Sequence, residues 1–254
     1  MKHVLLGDLE QGKKGVPVFA GMEFATAWSA FDYVVLEGKE EFDAAGGDSY
    51  EEGYVVLDDE GAELESRGGE SRFRAKVGGT GVLLAPVGPS HAVINTGERR
   101  VRLLRVRVKM EKREHLAVSA ADVDAGVLEW RDAIHGGVGR IATRHIWGPD
   151  DFVSPWTFLD HAVLEQGSSV GFHYHDALEE SFVVLRGRGY MTVDDETFAV
   201  GPGSVTWQGV RQGHGIYNPH AEELEFLRLA VARPDQEYTS IDLHDDLAGR
   251  RPGP

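Results

Sequence analysis

Two stretches of the chain concentrate side chains that can do chemistry. The first reads Gly171-Phe-His173-Tyr-His175-Asp-Ala-Leu-Glu179-Glu180 and runs on to Gly187. The second runs from Gly203 through Trp207, Gln208, Arg211 and His214 to Asn218. In an extended strand alternate residues share a face, so His173 and His175 point the same way. A third imidazole and a carboxylate from neighbouring strands would complete a site for one metal ion. Imidazole and carboxylate together suit Fe, Mn, Ni, Cu or Zn. Such an ion polarises a bound substrate oxygen, or takes O2 beside an electron-rich substrate.

Composition narrows the alternatives. There is no Cys, which excludes disulfides, thiolate metal sites and cysteine nucleophiles, whereas 11 His supply nitrogen donors. There is no Gly-x-Gly-x-x-Gly fingerprint or phosphate loop for nucleotides. Among 254 residues, 26 Lys and Arg face 42 Asp and Glu, a formal net charge of −16. That balance argues against nucleic acid and against an anionic membrane as partners. No apolar run approaches the roughly 20 residues of a membrane span, and the polar start is no signal peptide. The expectation is a soluble, cytoplasmic protein acting on a small-molecule substrate.

The elements that must position these side chains are short strands. Gly is 32 of 254, near twice the usual share of roughly 7%, and it separates runs rich in β-branched and aromatic residues. These runs are 31–36, 53–57, 81–85 and 101–108, then 156–164, 181–185, 190–193 and 225–231. Val101–Val108 alternates apolar with basic residues, so Arg102, Arg105 and Arg107 read either as a solvated edge or as part of a pairing strand. Ser119 to Ile134 has Val123, Val127 and Trp130 at helical spacing and a capping Ser, which predicts a short helix. The polar tail from Arg233 is expected to fray.

Sliding the chain on itself by 128 residues aligns Trp28 with Trp156, Asp32 with Asp160, Asp48 with Asp176, and Glu51-Glu52 with Glu179-Glu180. Twelve identities fall in 34 ungapped pairs from 28/156 to 61/189, where chance gives about two. Two copies of one all-β domain are therefore expected: residues 1–112, a linker over 113–139 with a charged cluster at 109–115, and residues 140–254.

The second copy resembles the cupin superfamily, and the whole chain a two-domain cupin. The family's first motif is His-x-His, three or four residues, Glu, six residues, Gly; here His173, His175, Glu180 and Gly187 fill it. Its second is Gly, five residues, Pro-x-Gly, two residues, His, three residues, Asn; here Gly203, His214 and Asn218 hold their places, while Gly209 and Arg211 depart from the pattern. The resemblance implies two tandem double-stranded β-helix (jelly-roll) barrels. It also implies one divalent transition metal, Fe or Mn ahead of Ni, Zn or Cu, on His173, His175, Glu180 and His214. Glu179 is the rival carboxylate.

Position then suggests helpers. Arg211, near the mouth, would grip a substrate carboxylate or else lie on the surface. Gln208 would hydrogen-bond substrate, and Tyr217, Trp207, Tyr190 and Phe182 would line the pocket or pack the barrel. Arg144 and His145 would close one end or lie outside. His161 reads as structural. His3, His115, His135, His220 and His244 give no site signal.

The first copy keeps Pro86-x-Gly88-x-x-His91-x-x-x-Asn95, and Glu52 aligns with Glu180, but Ala45 and Gly47 replace the paired His. It is expected to keep the barrel without the metal. The expected function is a metal-dependent cupin enzyme for a small polar metabolite, dioxygenase or oxidoreductase first. The alternatives are a non-redox isomerase, lyase or decarboxylase, and a binding cupin without turnover. A homodimer is expected.

Overall fold

The computed structural model describes residues 3–9, 14–47, 49–67, 72–110, 118–234 and 236–253. Asp48 of the repeat, His115, most of the charged cluster and the expected boundary at 112/113 lie outside the described residues. Those described form strands joined by turns and short 3-10 segments; none is in an α-helix, and none lies in a helix long and apolar enough to cross a membrane.

The chain divides into two compact units. One gathers the described residues within Leu6–Val123 and Pro149–Trp156. Its six-stranded sheet has the order Ser119–Asp122, Gly81–Ala85, Tyr50–Val56, Val101–Lys109, Trp28–Leu36, Val16–Pro17, and its four-stranded sheet the order Glu41–Ala44, His91–Ile94, Ala62–Ser66, Arg74–Val77. The inner faces alternate as period-two patterning requires. Val34, Leu36, Val56, Leu83, Val101 and Leu103 of one sheet meet Ala62, Leu64, Val77 and Val93 of the other in one core.

The second unit gathers the described residues within Met1–Leu5, Asp124–Gly148 and Thr157–Pro254. A seven-stranded sheet runs His3–Leu5, Ser204–Thr206, Leu178–Arg186, Leu224–Ala232, Trp156–Leu164, Arg140–Trp147, Trp130–Asp132. A five-stranded sheet runs Glu196–Val200, Gly189–Val193, His214–Tyr217, Ser169–His175, Ser240–Asp242. Between them Ile141, Ala162, Leu164, Phe182, Val184 and Phe226 pack on Val170, Met191, Val193 and Ile216. This core fills one end of the barrel and leaves the polar side chains to the other. The architecture is thus a pair of tandem β-barrels.

Two expectations about elements are corrected and one open reading is decided. No helix forms over 119–134: Ser119–Asp122 is a strand paired with Gly81–Ala85, Asp124 caps a 3-10 turn at Ala125–Val127, and Trp130–Asp132 pairs with Arg140–Trp147. The helical spacing lost because Gly126 weakens a helix there and exposed sheet edges offered the backbone ready partners. The tail does not simply fray, since Ser240–Asp242 pairs with the strand that carries His173 and His175. Nor is Val101–Lys109 a solvated edge; it is paired on both sides, and Arg105 turns inward beside Leu103 to find carboxylates.

Candidate metal centre

His173, His175 and His214 come from the five-stranded sheet. His173 and His175 are two apart on one strand, and His173 is the register partner of His214, so all three imidazoles share the inner face. Glu180 enters from the facing sheet. It pairs with Ala230 on one side and bridges Gln208 on the other, whereas Glu179 pairs with Val231 and faces the opposite way. The irregular stretch between Asp176 and Leu178 resets the parity, so the carboxylate that the next strand turns towards the His pair is Glu180.

The four side chains are buried, and one donor atom from each lies within 4.8 Å of the others. His214 Nε2 is 3.0 Å and His175 Nε2 is 3.4 Å from Glu180 Oε2, and the Nε2 atoms of His173 and His175 are 3.3 Å apart. The outer nitrogens are occupied. Nδ1 of His173 donates to the Gly171 carbonyl (2.8 Å) and Nδ1 of His214 to the Gln212 carbonyl (2.9 Å), while Nδ1 of His175 meets the Ser240 hydroxyl at 3.0 Å. A carbonyl only accepts, so those Nδ1 atoms carry the protons and a neutral ring offers its lone pair at Nε2.

Electrostatics sharpens this arrangement. Burial, and then the neighbouring imidazoles, hold His173 well below the ordinary histidine range, so its ring is neutral. Burial pushes Glu180 up, but the His175 and His214 rings at hydrogen-bonding distance and the charge of Arg228 outweigh it and hold its carboxyl well below the ordinary range. With Nδ1 of His214 already donating to a carbonyl, a hydrogen bond from its Nε2 to Glu180 needs a second proton on that ring, in the place a metal ion would take. Lone pairs of nitrogen and a carboxylate oxygen thus point into one small space, where either extra protons or a cation must lie between them. The donor set fits a first-row transition ion, and Glu180 Oε1 has no hydrogen-bond partner.

Residues outside the predicted set complete the surroundings. The His135 ring stacks on His173 with centroids 3.8 Å apart and planes 7° from parallel. Its turn approaches so closely that a Cβ on Gly171 would lie 1.9 Å from the His135 carbonyl oxygen. Burial lowers the His135 pKa to about 4. Arg228 donates to Asp160 (2.5 Å) and lies 3.7 Å from Glu180 Oε1. Phe158, Leu178, Ala230, Ala232 and Tyr238 form an apolar wall. The sequence carried signals for two of these: Asp160 belongs to the repeat identities, and Arg228 interrupts an apolar strand at inward parity.

The helpers scatter. Gln208 is fully buried beside Glu180, and Phe182 lies in the core with its ring 6.2 Å from that of His214. Arg211 is exposed; its backbone, at φ 61°, donates to the His175 carbonyl at 2.7 Å. Tyr217 and Tyr190 are register partners on the face opposite His214 and Ile216, so neither joins the group. His161 bonds Glu225 at 2.8 Å, and the exposed His145 meets Asp160. His3 bonds Ser204 at 3.0 Å.

In the other unit the corresponding end holds an organic network. Arg105 grips Glu52 through two nitrogens (3.0 and 2.6 Å), and the Tyr54 hydroxyl donates to Glu52 (2.8 Å) and meets His91 Nε2 at 2.8 Å. Asp32 lies 3.6 Å from Arg105, repeating the Asp160–Arg228–Glu180 chain. Among the described residues no second cluster of three His, Asp or Glu donors converges.

Comparison with known proteins finds similar chains and similar folds. The model of the Cupin domain family matches residues 160–231. An uncharacterized protein of Methanocaldococcus jannaschii is 32% identical over 98 residues, covering 39% of this chain and 78% of that protein. The oxalate-binding protein of Thermotoga maritima is 26% identical over 98 residues, 39% of this chain and 81% of that one. Oxalate decarboxylase of Bacillus subtilis superposes with a TM-score of 0.65 at 15% identity over 96% of this chain and 79% of its own.

Proposed function

The chain belongs to the cupin superfamily as a two-domain member, and from that premise we propose that the barrel containing His173 binds one divalent transition ion, Mn(II) or Fe(II) first, and acts there on a small carboxylate. The observation that carries the reading is the convergence of three Nε2 atoms and Glu180 Oε2 within 4.8 Å, with the outer nitrogens tied away. Support for the carboxylate comes from the oxalate-binding relative and from the oxalate decarboxylase of similar fold, which is described with Mn(II) centres.

A bound divalent ion supplies Lewis acidity and open positions for carboxylate oxygens. His173, His175, Glu180 and His214 would hold it. The chain's own groups then set the reaction. Gly171, Gln212 and Ser240 fix the imidazole orientations. Arg228 balances the charge of Glu180, and Phe158, Leu178, Ala230 and Tyr238 exclude water from the reacting carbon. Non-redox cleavage of a C–C bond, as in a decarboxylase, replaces the dioxygenase as the favoured reaction, because the Thermotoga maritima relative is an oxalate-binding protein and the similarly folded Bacillus subtilis protein an oxalate decarboxylase. Apo protein loaded with Mn(II) or Fe(II) and given small 2-oxo, 2-hydroxy and dicarboxylic acids is expected to release CO2 without stoichiometric O2 uptake. Matched O2 consumption would return the dioxygenase; metal loading with no turnover of any acid would leave a binding protein.

A further inference from the structure

Gln208 is the buried group beside the centre that the ligand set does not use. Its backbone is pinned by two hydrogen bonds to Glu180, N–H to carbonyl at 2.9 Å and carbonyl to N–H at 3.1 Å. A hydrogen-bonded antiparallel pair puts the two side chains on one face, with Cα atoms about 5.5 Å apart. That face is the one on which Glu180 meets the three imidazoles. The Gln208 side chain has no solvent exposure, and neither its Oε1 nor its Nε2 has a partner. Glu180 Oε1 and Arg228 Nε, on the same inner face, are also without hydrogen bonds. Native interiors hydrogen-bond nine in ten or more of their buried polar atoms, and here four without a hydrogen bond adjoin a single site, Glu180 Oε1 among them meeting Arg228 only as an ion pair at 3.7 Å.

Two of the four are donors, Gln208 Nε2 and Arg228 Nε. Two are acceptors, Gln208 Oε1 and Glu180 Oε1. Flipping the amide exchanges its ends without changing that balance. A fully ionised dicarboxylate, which only accepts, would answer the donors and set its lone pairs against the acceptors. A ligand with an N–H or O–H beside its metal-bound carboxylate would answer both. We propose that Gln208 is the specificity-determining residue of this pocket and selects a carboxylate bearing an adjacent amide or hydroxyl over a bare dicarboxylate anion. This rests on the carboxylate-on-metal reading above and names its substrate class.

Oxalate and oxamate test it, being nearly isosteric with an oxygen exchanged for an amide NH2. Their affinities for the full-length, Mn(II)-loaded chain are measured by calorimetry at neutral pH, for the wild type, Gln208→Leu and Gln208→Met. Comparing the oxalate-to-oxamate ratio between proteins cancels the intrinsic preference of the metal for either anion. The expected result is a shift of that ratio against oxamate by at least about fivefold in a variant that still binds one Mn(II), since the lost pairing is of a buried polar group. A smaller shift means that ordered water alone answers the amide, and overturns the proposal. Loss of Mn(II) in both variants would assign Gln208 to building the centre, with the same consequence. If Mn(II) binds the wild type but neither acid does, the carboxylate reading itself fails and takes this inference with it.

Discussion

Two adjacent carboxylates on one strand have opposite fates because a strand alternates its faces. Glu180 points at the imidazoles and Glu179 at the far side of the sheet. Glu180→Gln is therefore expected to weaken Mn(II) binding at least ~100-fold, since it removes a charged donor from the centre, while Glu179→Gln leaves the affinity within about threefold. Titration of the apo protein followed by EPR reads both, and the reverse order would sink the assignment. Arg211 makes a different point. Its position holds a left-handed backbone at φ 61°, which explains why the family pattern puts Gly there. Arg211→Gly should keep the metal and raise stability by up to ~1 kcal/mol. An unchanged KM with that variant would remove Arg211 from substrate binding; a KM raised tenfold or more would restore the carboxylate grip.

At the scale of elements, the last strand matters more than its length suggests. Ser240–Asp242 pairs with Ser169–His175, which sets the Ser240 hydroxyl 3.0 Å from His175 Nδ1. Ser240→Ala is expected to lower metal affinity about tenfold, the usual effect of losing a group that orients a ligand, with little change in the melting temperature of the apo protein. Equal affinity in the two proteins would mean that the strand serves only packing. His214 was found through its place in the family motif, whereas the strands at 156–164, 181–185 and 225–231 and the common face of His173 and His175 were legible in the sequence, because inward residues recur every second position and Gly marks the turns. Ser240 and His135 were not. Each acts through a long-range backbone pairing or close approach, and a polar tail or a His-Gly-Gly turn carries no periodicity that would reveal it. The alternating Arg strand was ambiguous for a related reason: alternation gives a residue's face but not whether that face meets water or a buried carboxylate. Only the pairing with Asp32 and Glu52 decides it.

Across the whole molecule one barrel plan carries two polar centres with opposite chemistry. Duplication explains the shared Asp–Arg–Glu chain; divergence replaced His173 and His175 by Ala45 and Gly47 and set Tyr54 where the other copy has Phe182. In the unit with Glu52 the lone pairs of the carboxylate are taken by Arg105 and Tyr54 rather than offered to an ion, so metal analysis should find one ion per chain. The same network makes this unit sensitive to acid. Burial pushes Glu52 up, yet hydrogen bonds with His91 and Arg105 outweigh it and bring the carboxyl to about 2 from an ordinary 4.5. A depressed carboxyl stabilises the fold fully above its unfolded value and loses that contribution as pH falls towards the folded one. The stabilisation is on the order of 3 kcal/mol, present above about pH 4.5 and gone near pH 2. Hydrogen exchange of the amides in Tyr50–Val56 reports this unit alone. Between pH 6 and pH 2.5 the opening free energy of those amides should fall in the wild type, after correction for intrinsic exchange. In Glu52→Gln it should start lower, because Arg105 loses its closest partner, and should change much less over the same interval. Parallel curves for the two proteins would show that Glu52 is not the group whose protonation loosens the barrel.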